Sequence, residues 1–395
     1  MIKRKESQLN RADHHTLTAF MAEIRKDYPY FIGFPGSVDF DYSELLPFFQ
    51  YLLNNVGDPY VSPLHANHSK RLEREVVDFF ADLFHAPKSD RWGYVTNGGT
   101  EGNLYSLYVA RELYPEAPVF YSNSAHYSIP KNIGILGMQG IAVASEESGE
   151  MDYSSLKKNI IKSGATQVIV VATIGTTMSE AKDNVYIIQH ILDDLGFDDA
   201  SFVHCDAALA GVYTAFAIPH HPFDFADGAD AISISGHKFI GCPMPSGVVI
   251  TRKSYRDKVV RSALYTGTPD STISGSRNGH TPIMLWYTIK KLGTDGLRKR
   301  AINSMELARY LHTELRCIGW PAWKNEAAFT VVIKQPPKEI IHKWQLATYG
   351  GVSHVICMPG VTKEQLNSFI QDIKHSQNTI RHKRTNERKT SNESK

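Results

Sequence analysis

Six short apolar runs, several separated by helix-compatible segments, constrain this chain more than any other feature. They are Pro118-Val119-Phe120-Tyr121, Ile141-Ala142-Val143, Val168-Ile169-Val170-Val171, Phe202-Val203-His204-Cys205, Ala231-Ile232-Ser233-Ile234 and Val248-Val249-Ile250. Strands that alternate with helices need crossover connections, which imply a largely parallel, buried sheet and an α/β fold. Upstream, Leu72, Val76, Phe79, Phe80, Leu83 and Phe84 recur with helical period. After about residue 285 the pattern changes. It predicts a helix from about Thr294 to Cys317, strands over Phe329–Ile333 and His354–Cys357, and a helix from about Lys363. The expected organisation is an N-terminal arm (1–60), a large domain (61–285), a small α+β C-terminal domain (286–375) and a disordered basic tail (376–395).

The length of 395 residues allows such a two-part architecture with a substantial core. A hydrophobic content of 42% with 21% charged residues describes an ordinary globular protein. The net charge of +2 points to neither nucleic acid nor an acidic membrane surface, and no nucleic-acid partner is expected. No apolar run is long enough to span a bilayer. The basic start Met1-Ile2-Lys3-Arg4-Lys5-Glu6 is followed by no apolar stretch, so no signal peptide is expected. The four cysteines are far apart, without metal-ligand spacing; no metal is expected, and reduced thiols in a cytoplasm fit this usage.

Candidate chemistry lies where strands end. In Ser233-Ile234-Ser235-Gly236-His237-Lys238 a lysine follows an apolar strand and small residues. A partly desolvated lysine amine can form a Schiff base with an aldehyde held nearby. Tyr94-Val95-Thr96-Asn97-Gly98-Gly99-Thr100 runs into helical spacing at Leu104, Leu107 and Tyr108. Glycines and Thr100 at a helix start can bring backbone N–H groups to a phosphate, although a helix-capping turn also accounts for them. The absence of Gly-x-x-x-x-Gly-Lys-Ser/Thr and Gly-x-Gly-x-x-Gly patterns argues against nucleotides. Asp206, at the end of Phe202-Val203-His204-Cys205, is followed by Ala207 and Ala208. A carboxylate there is costly to bury without a cation, and a protonated pyridine nitrogen over small side chains would be one. His126, in Ser124-Ala125-His126-Tyr127-Ser128, can stack on a ring or serve as an ordinary loop residue. His204, His280 and His354 read as structural. Asp206 and Lys238 are separated by about one strand-helix-strand unit, which can put both at neighbouring carboxyl ends of a sheet.

Three long motifs carry a family resemblance: Trp92 to Asn103, Ser235-Gly236-His237-Lys238, and Gly275-Ser276-Arg277-Asn278-Gly279-His280-Thr281-Pro282. From about residue 28 to 374 the chain resembles group II pyridoxal-phosphate-dependent amino-acid decarboxylases, above all bacterial histidine decarboxylases and plant serine decarboxylases. The resemblance implies the PLP-dependent transferase fold type I with a mostly parallel seven-stranded sheet, pyridoxal 5'-phosphate as cofactor, an amino-acid substrate, and a homodimer with shared active sites. It makes Lys238 the Schiff-base lysine and His126 the residue over the ring, near the substrate carboxylate. Asp206 becomes the ring-nitrogen partner and Ala208 the residue under the ring. Gly99, Thr100, Ser235 and His237 become phosphate ligands, Thr173 a ring contact, and Ser276 a phosphate contact from the neighbouring subunit. The loop Tyr265-Thr266-Gly267-Thr268-Pro269-Asp270 is shorter than in longer relatives, and Tyr265 is the candidate proton donor. Histidine is the first expected substrate. Serine follows, because the stretches Asn55 to Ser69 and Lys343 to Ala347 look closer to the plant enzymes. A fold type I aminotransferase or lyase, and a catalytically silent subunit that holds the cofactor, are the rival readings.

Overall fold

The structure, a computed structural model, describes residues 9–393 apart from Ile218; within that span the side chains of Leu264 and 379–393 are not described. The segment Met1–Glu6, on which the absence of a signal peptide was argued, lies outside the described residues. Seven strands form the larger sheet: β1 (Trp92–Thr96), β2 (Val119–Ser122), β3 (Gly140–Val143), β4 (Val168–Thr173), β5 (Ser201–Asp206), β6 (Ala231–Ser235) and β7 (Gly247–Thr251). Their order is β1-β7-β6-β5-β4-β2-β3. Strands β3, β2, β4, β5 and β6 are parallel, whereas β7 runs antiparallel to both of its neighbours. The chain thus adopts the mostly parallel α/β fold that the alternating runs predict. Strand β1 was not among those runs; Gly93 and Thr96 interrupt its apolar character, yet all five residues are buried.

Helices cover the two faces, which explains why β4 is apolar at successive positions and buried along its whole length. Helix Lys70–Leu83 turns Val76, Val77, Phe80 and Ala81 inward, as its period predicts. The register sets Thr173 beside Asp206 and Asp206 beside Ser233. The carboxyl ends of β4, β5 and β6 therefore form one edge.

A second, antiparallel sheet contains β8 (Ala322–Trp323), β9 (Thr330–Lys334), β10 (Thr348–Tyr349) and β11 (Val352–Ile356), in the order β10-β11-β9-β8. It has its own core, built around Leu311, Val331, Trp344, Val355 and Phe369. Helix His280–Cys317 leads into it, and Gly293 breaks the helix with φ 61° and ψ −177°. The predicted helix from Thr294 is the second half of this bent element.

Glu180 fastens β9 to the large sheet. It is buried in left-handed conformation (φ 57°) and accepts the N–H groups of Phe329 (3.0 Å) and Thr330 (2.9 Å) and the Thr330 hydroxyl (2.6 Å). A buried carboxylate is tolerable when it collects this many donors.

Helix Lys363–Glu393 continues where a disordered tail was expected from residue 376. Among the described residues no helix is long and apolar enough to cross a membrane.

Candidate active site

A cavity of about 820 Å³ opens at the carboxyl ends of β5 and β6. Asp206, Ala208, Ser235 and Lys238 line one side; Phe34, His354 and Ile356, from the N-terminal segment and the second sheet, line the other.

Lys238 reaches this cavity because β6 ends in a tight turn, Gly236–Ile240, within which Lys238 departs from helical geometry (φ −86°, ψ −108°). The turn depends on Gly236. A Cβ there would lie 2.6 Å from both Leu285 Cδ2 and Ser246 Oγ. Burial of the amine lowers its pKa below the usual lysine value, against the opposing pull of Asp206. A larger fraction is then the neutral nucleophile.

Asp206 ends β5 and is buried. Its carboxylate accepts a long hydrogen bond from the Ala208 N–H, 3.3 Å. Lys238, His126 and His204 act on it electrostatically, none within ion-pair distance among the described residues. Nearby, the Thr173 hydroxyl is buried with no hydrogen-bond partner. A buried carboxylate without a paired cation fits a flat cationic ring better than an apolar filler.

The third wall is the start of helix Gly99–Leu113, preceded by Gly98 at φ 146°, a value that favours glycine. A Cβ on Gly99 would lie 2.8 Å from Ala208 Cβ and 2.9 Å from Ser235 Oγ. The helix N-terminus, Thr100, Ser235 and His237 all face the cavity, a donor set suited to a phosphate. The Nδ1 of His237 is anchored 3.1 Å from Ser246 O. Burial lowers its pKa, which the Ser246 bond opposes and the neighbouring Lys238 charge reinforces.

His126 also lines the cavity, on the loop before helix Ser128–Ile135. Its pKa is lowered by burial first, with Asp206 opposing and Lys238 and Lys131 reinforcing. Residues Ser128, Lys131, Asn132 and Ile135 of that helix line the cavity too. Their i, i+3, i+4, i+7 spacing, directly after the His126 motif, was the signal that could have found them. His354, read as structural, also faces the cavity, and its two ring nitrogens lie 3.1 Å from Met178 O and 3.0 Å from Gly33 O.

Two expected residues, Thr173 and Tyr265, are not brought into this chain's cavity, and Ser276, expected to act from the neighbouring subunit, lies outside it as well. Thr173 is buried under the edge, and Gly175 and Thr177 stand at the surface in its place. Tyr265 is 88% exposed on its short loop. Ser276 is exposed and accepts a hydrogen bond from Asn54 Nδ2 (3.1 Å).

The next residue, Arg277, is buried and pairs with buried Glu73, while its Nη2 donates to Gly57 O (2.9 Å). Glu73 also accepts from Val95 N–H (2.9 Å) and Asn55 Nδ2 (2.8 Å). This pair fixes the Ser276 loop against β1. Arg277→Met would leave Glu73 buried without its cation and is expected to cost about 3–5 kcal/mol. A urea-unfolding measurement showing a loss under about 1 kcal/mol would contradict that role.

Comparison with known proteins agrees with this geometry. The family model described as the pyridoxal-dependent decarboxylase conserved domain matches residues 49–319. A histidine decarboxylase of Mesorhizobium japonicum is 44% identical over 91% of this chain and 97% of its own. Serine decarboxylase 2 of Oryza sativa subsp. japonica is 40% identical over 90% and 77%. Among solved structures, an L-methionine decarboxylase variant from Streptomyces sp.590, complexed with L-methionine methyl ester, superposes with a TM-score of 0.86 at 25% identity, covering 94% of this chain and 96% of that one. A family model spanning most of the chain, relatives similar along nearly its whole length, and a cavity built for an aldehyde-bearing, phosphorylated ring all agree: this chain belongs to the pyridoxal-dependent decarboxylases, and pyridoxal phosphate is its cofactor.

Proposed function

We propose that this chain removes the α-carboxyl group of L-histidine as carbon dioxide, with uptake of a proton at Cα to leave histamine. The observation that carries the chemistry is the convergence of the Lys238 amine, the buried Asp206 carboxylate and the N-terminus of helix Gly99–Leu113 on one cavity. Pyridoxal phosphate, when bound, supplies the conjugated system that accepts the electron pair left at Cα. Lys238 would hold the cofactor covalently, and Asp206 would keep positive charge at the ring nitrogen. Gly99, Thr100, Ser235 and His237 would hold the phosphate, Ala208 would leave room under the ring, and Thr173 would support its edge. His126 would meet the substrate carboxylate. The walls fix which bond at Cα stands ready to break.

Histidine as substrate is supported by the 44% identity to the Mesorhizobium japonicum enzyme. Serine is the second reading, supported by the 40% identity to the rice enzyme. Carbon dioxide release from a panel of amino acids by the purified holoenzyme is expected to be greatest with L-histidine. Greater turnover with serine would transfer the assignment to ethanolamine formation. Release from no amino acid would overturn decarboxylation itself.

A homodimer with shared sites is part of this proposal. Ser276 stands outside its own chain's cavity, and Leu17, Phe20, Met21 and Ile24 leave an apolar face on helix Arg11–Asp27 exposed. A cytoplasmic location is proposed from the four free cysteines.

A further inference from the structure

His204 is a fully buried histidine that the proposed chemistry does not use. It lies on β5 two residues before Asp206, yet hydrogen bonds lead from it to the cavity by another route. Its Nε2 is 2.9 Å from Asn103 Oδ1. Asn103 Nδ2 donates to Ser128 Oγ at 3.4 Å. Ser128 Oγ is 2.8 Å from His126 Nδ1, and the Ser128 backbone N–H donates to that same nitrogen at 3.2 Å. Asn103, Ser128 and His204 are all buried.

The direction of the chain follows from its one donor that cannot reverse. A backbone N–H only donates, so His126 Nδ1 must present a lone pair. The Ser128 hydroxyl then also donates to Nδ1, its oxygen accepts from the Asn103 amide N–H, and the Asn103 oxygen accepts from His204 Nε2–H. In a neutral His204 the nitrogen left bare is Nδ1, which has the longer contact, 3.2 Å to Ala231 O. Burial keeps His204 neutral, lowering its pKa to about 4 against the opposing effects of Asp206 and the Ala231 carbonyl.

We infer that His204 and Asn103 are positioning residues which, through Ser128, hold His126 as the neutral tautomer with its proton on Nε2. This inference rests on the decarboxylase reading only for its purpose, which is the group that His126 offers to the substrate. A neutral N–H can hold a carboxylate in place. An imidazolium would stabilise the carboxylate more than the departing, neutral carbon dioxide and so oppose the reaction.

The test is nitrogen NMR of protein labelled with ¹⁵N-histidine, as apoprotein and holoenzyme, with the His126 signals identified by their loss in His126→Gln. Wild type is expected to show a neutral His126 protonated at Nε2. Asn103→Asp keeps shape but gives two acceptor oxygens, which draws the Ser128 proton away from His126. Ser128→Ala removes only the hydroxyl. Both are expected to raise the pKa of His126 by weakening the hydroxyl's donation to Nδ1, while the Ser128 backbone N–H keeps the lone pair there. Both should also lower kcat by about tenfold, which is ~1.4 kcal/mol, with the absorbance of bound cofactor retained. A wild-type His126 protonated at Nδ1, or a His126 titration identical in wild type and both variants, would overturn the relay. Because the NMR readout needs no turnover, the relay can stand or fall separately from the decarboxylase assignment.

Discussion

Lys238→Ala is expected to fold normally, to lose the absorbance of covalently bound cofactor, and to lose multiple-turnover carbon dioxide release on the order of 10³-fold or more. Folding should survive because the turn is held by main-chain contacts. The Lys238 carbonyl accepts from Ser37 N–H (3.3 Å) and Gly241 N–H (3.1 Å), and Gly241 takes a positive φ of 84°. The side chain supplies only the amine. In wild type, borohydride should fix the cofactor to this residue, and peptide mapping should find it there. Sustained turnover by the purified variant, or trapping at a different lysine, would remove the basis of the assignment.

Asp206→Asn is the second large effect. The amide is close to isosteric and can still accept the Ala208 N–H, so the sheet edge should persist. It cannot balance positive charge at a ring nitrogen, and turnover is expected to fall on the order of 10²-fold or more, the scale of losing one preorganised electrostatic partner. Without cofactor the variant should be as stable as wild type or more stable, because a neutral amide costs less to bury than an unpaired carboxylate. Chemical unfolding of both apoproteins separates the contributions. Near-normal turnover, or a variant that fails to fold, would contradict the role given to Asp206.

The parts of this molecule legible in its sequence are those where one physical requirement dominates. β4 had to be a buried strand because it is apolar at successive positions. Lys238 and Asp206 could be placed at strand ends because the apolar runs stop there. β1 was hidden because Gly93 and Thr96 dilute its apolar signal, and its burial depends on β7, which is far away in sequence. The two-residue strands β8 and β10 carry too little pattern to register. The expected helix began at about Thr294, whereas in the structure positive-φ Gly293 bends a helix that continues on both sides. Lys131 and Asn132 follow from helical spacing once the helix start at Ser128 is known. His354 had no local signal, since only the packing of β11 against Gly33 and Met178 carries it to the cavity. Thr173 was matched by motif position, but the register of β4 beside Asp206 buries it one layer below the open surface.

The cavity has a division of labour built into its walls. The groups proposed to hold the cofactor sit at the large sheet's carboxyl edge and on the helix start and loop beside it, whereas Phe34, Ala347 and Ile356 arrive from segments remote in the chain. Glu180 pins these two halves together through the main-chain N–H groups of Phe329 and Thr330, which do not depend on the side chains there. Substitutions on the far wall can therefore alter which amino acid fits while the reacting groups keep their places, a route by which closely similar chains could diverge in diet without relearning their chemistry.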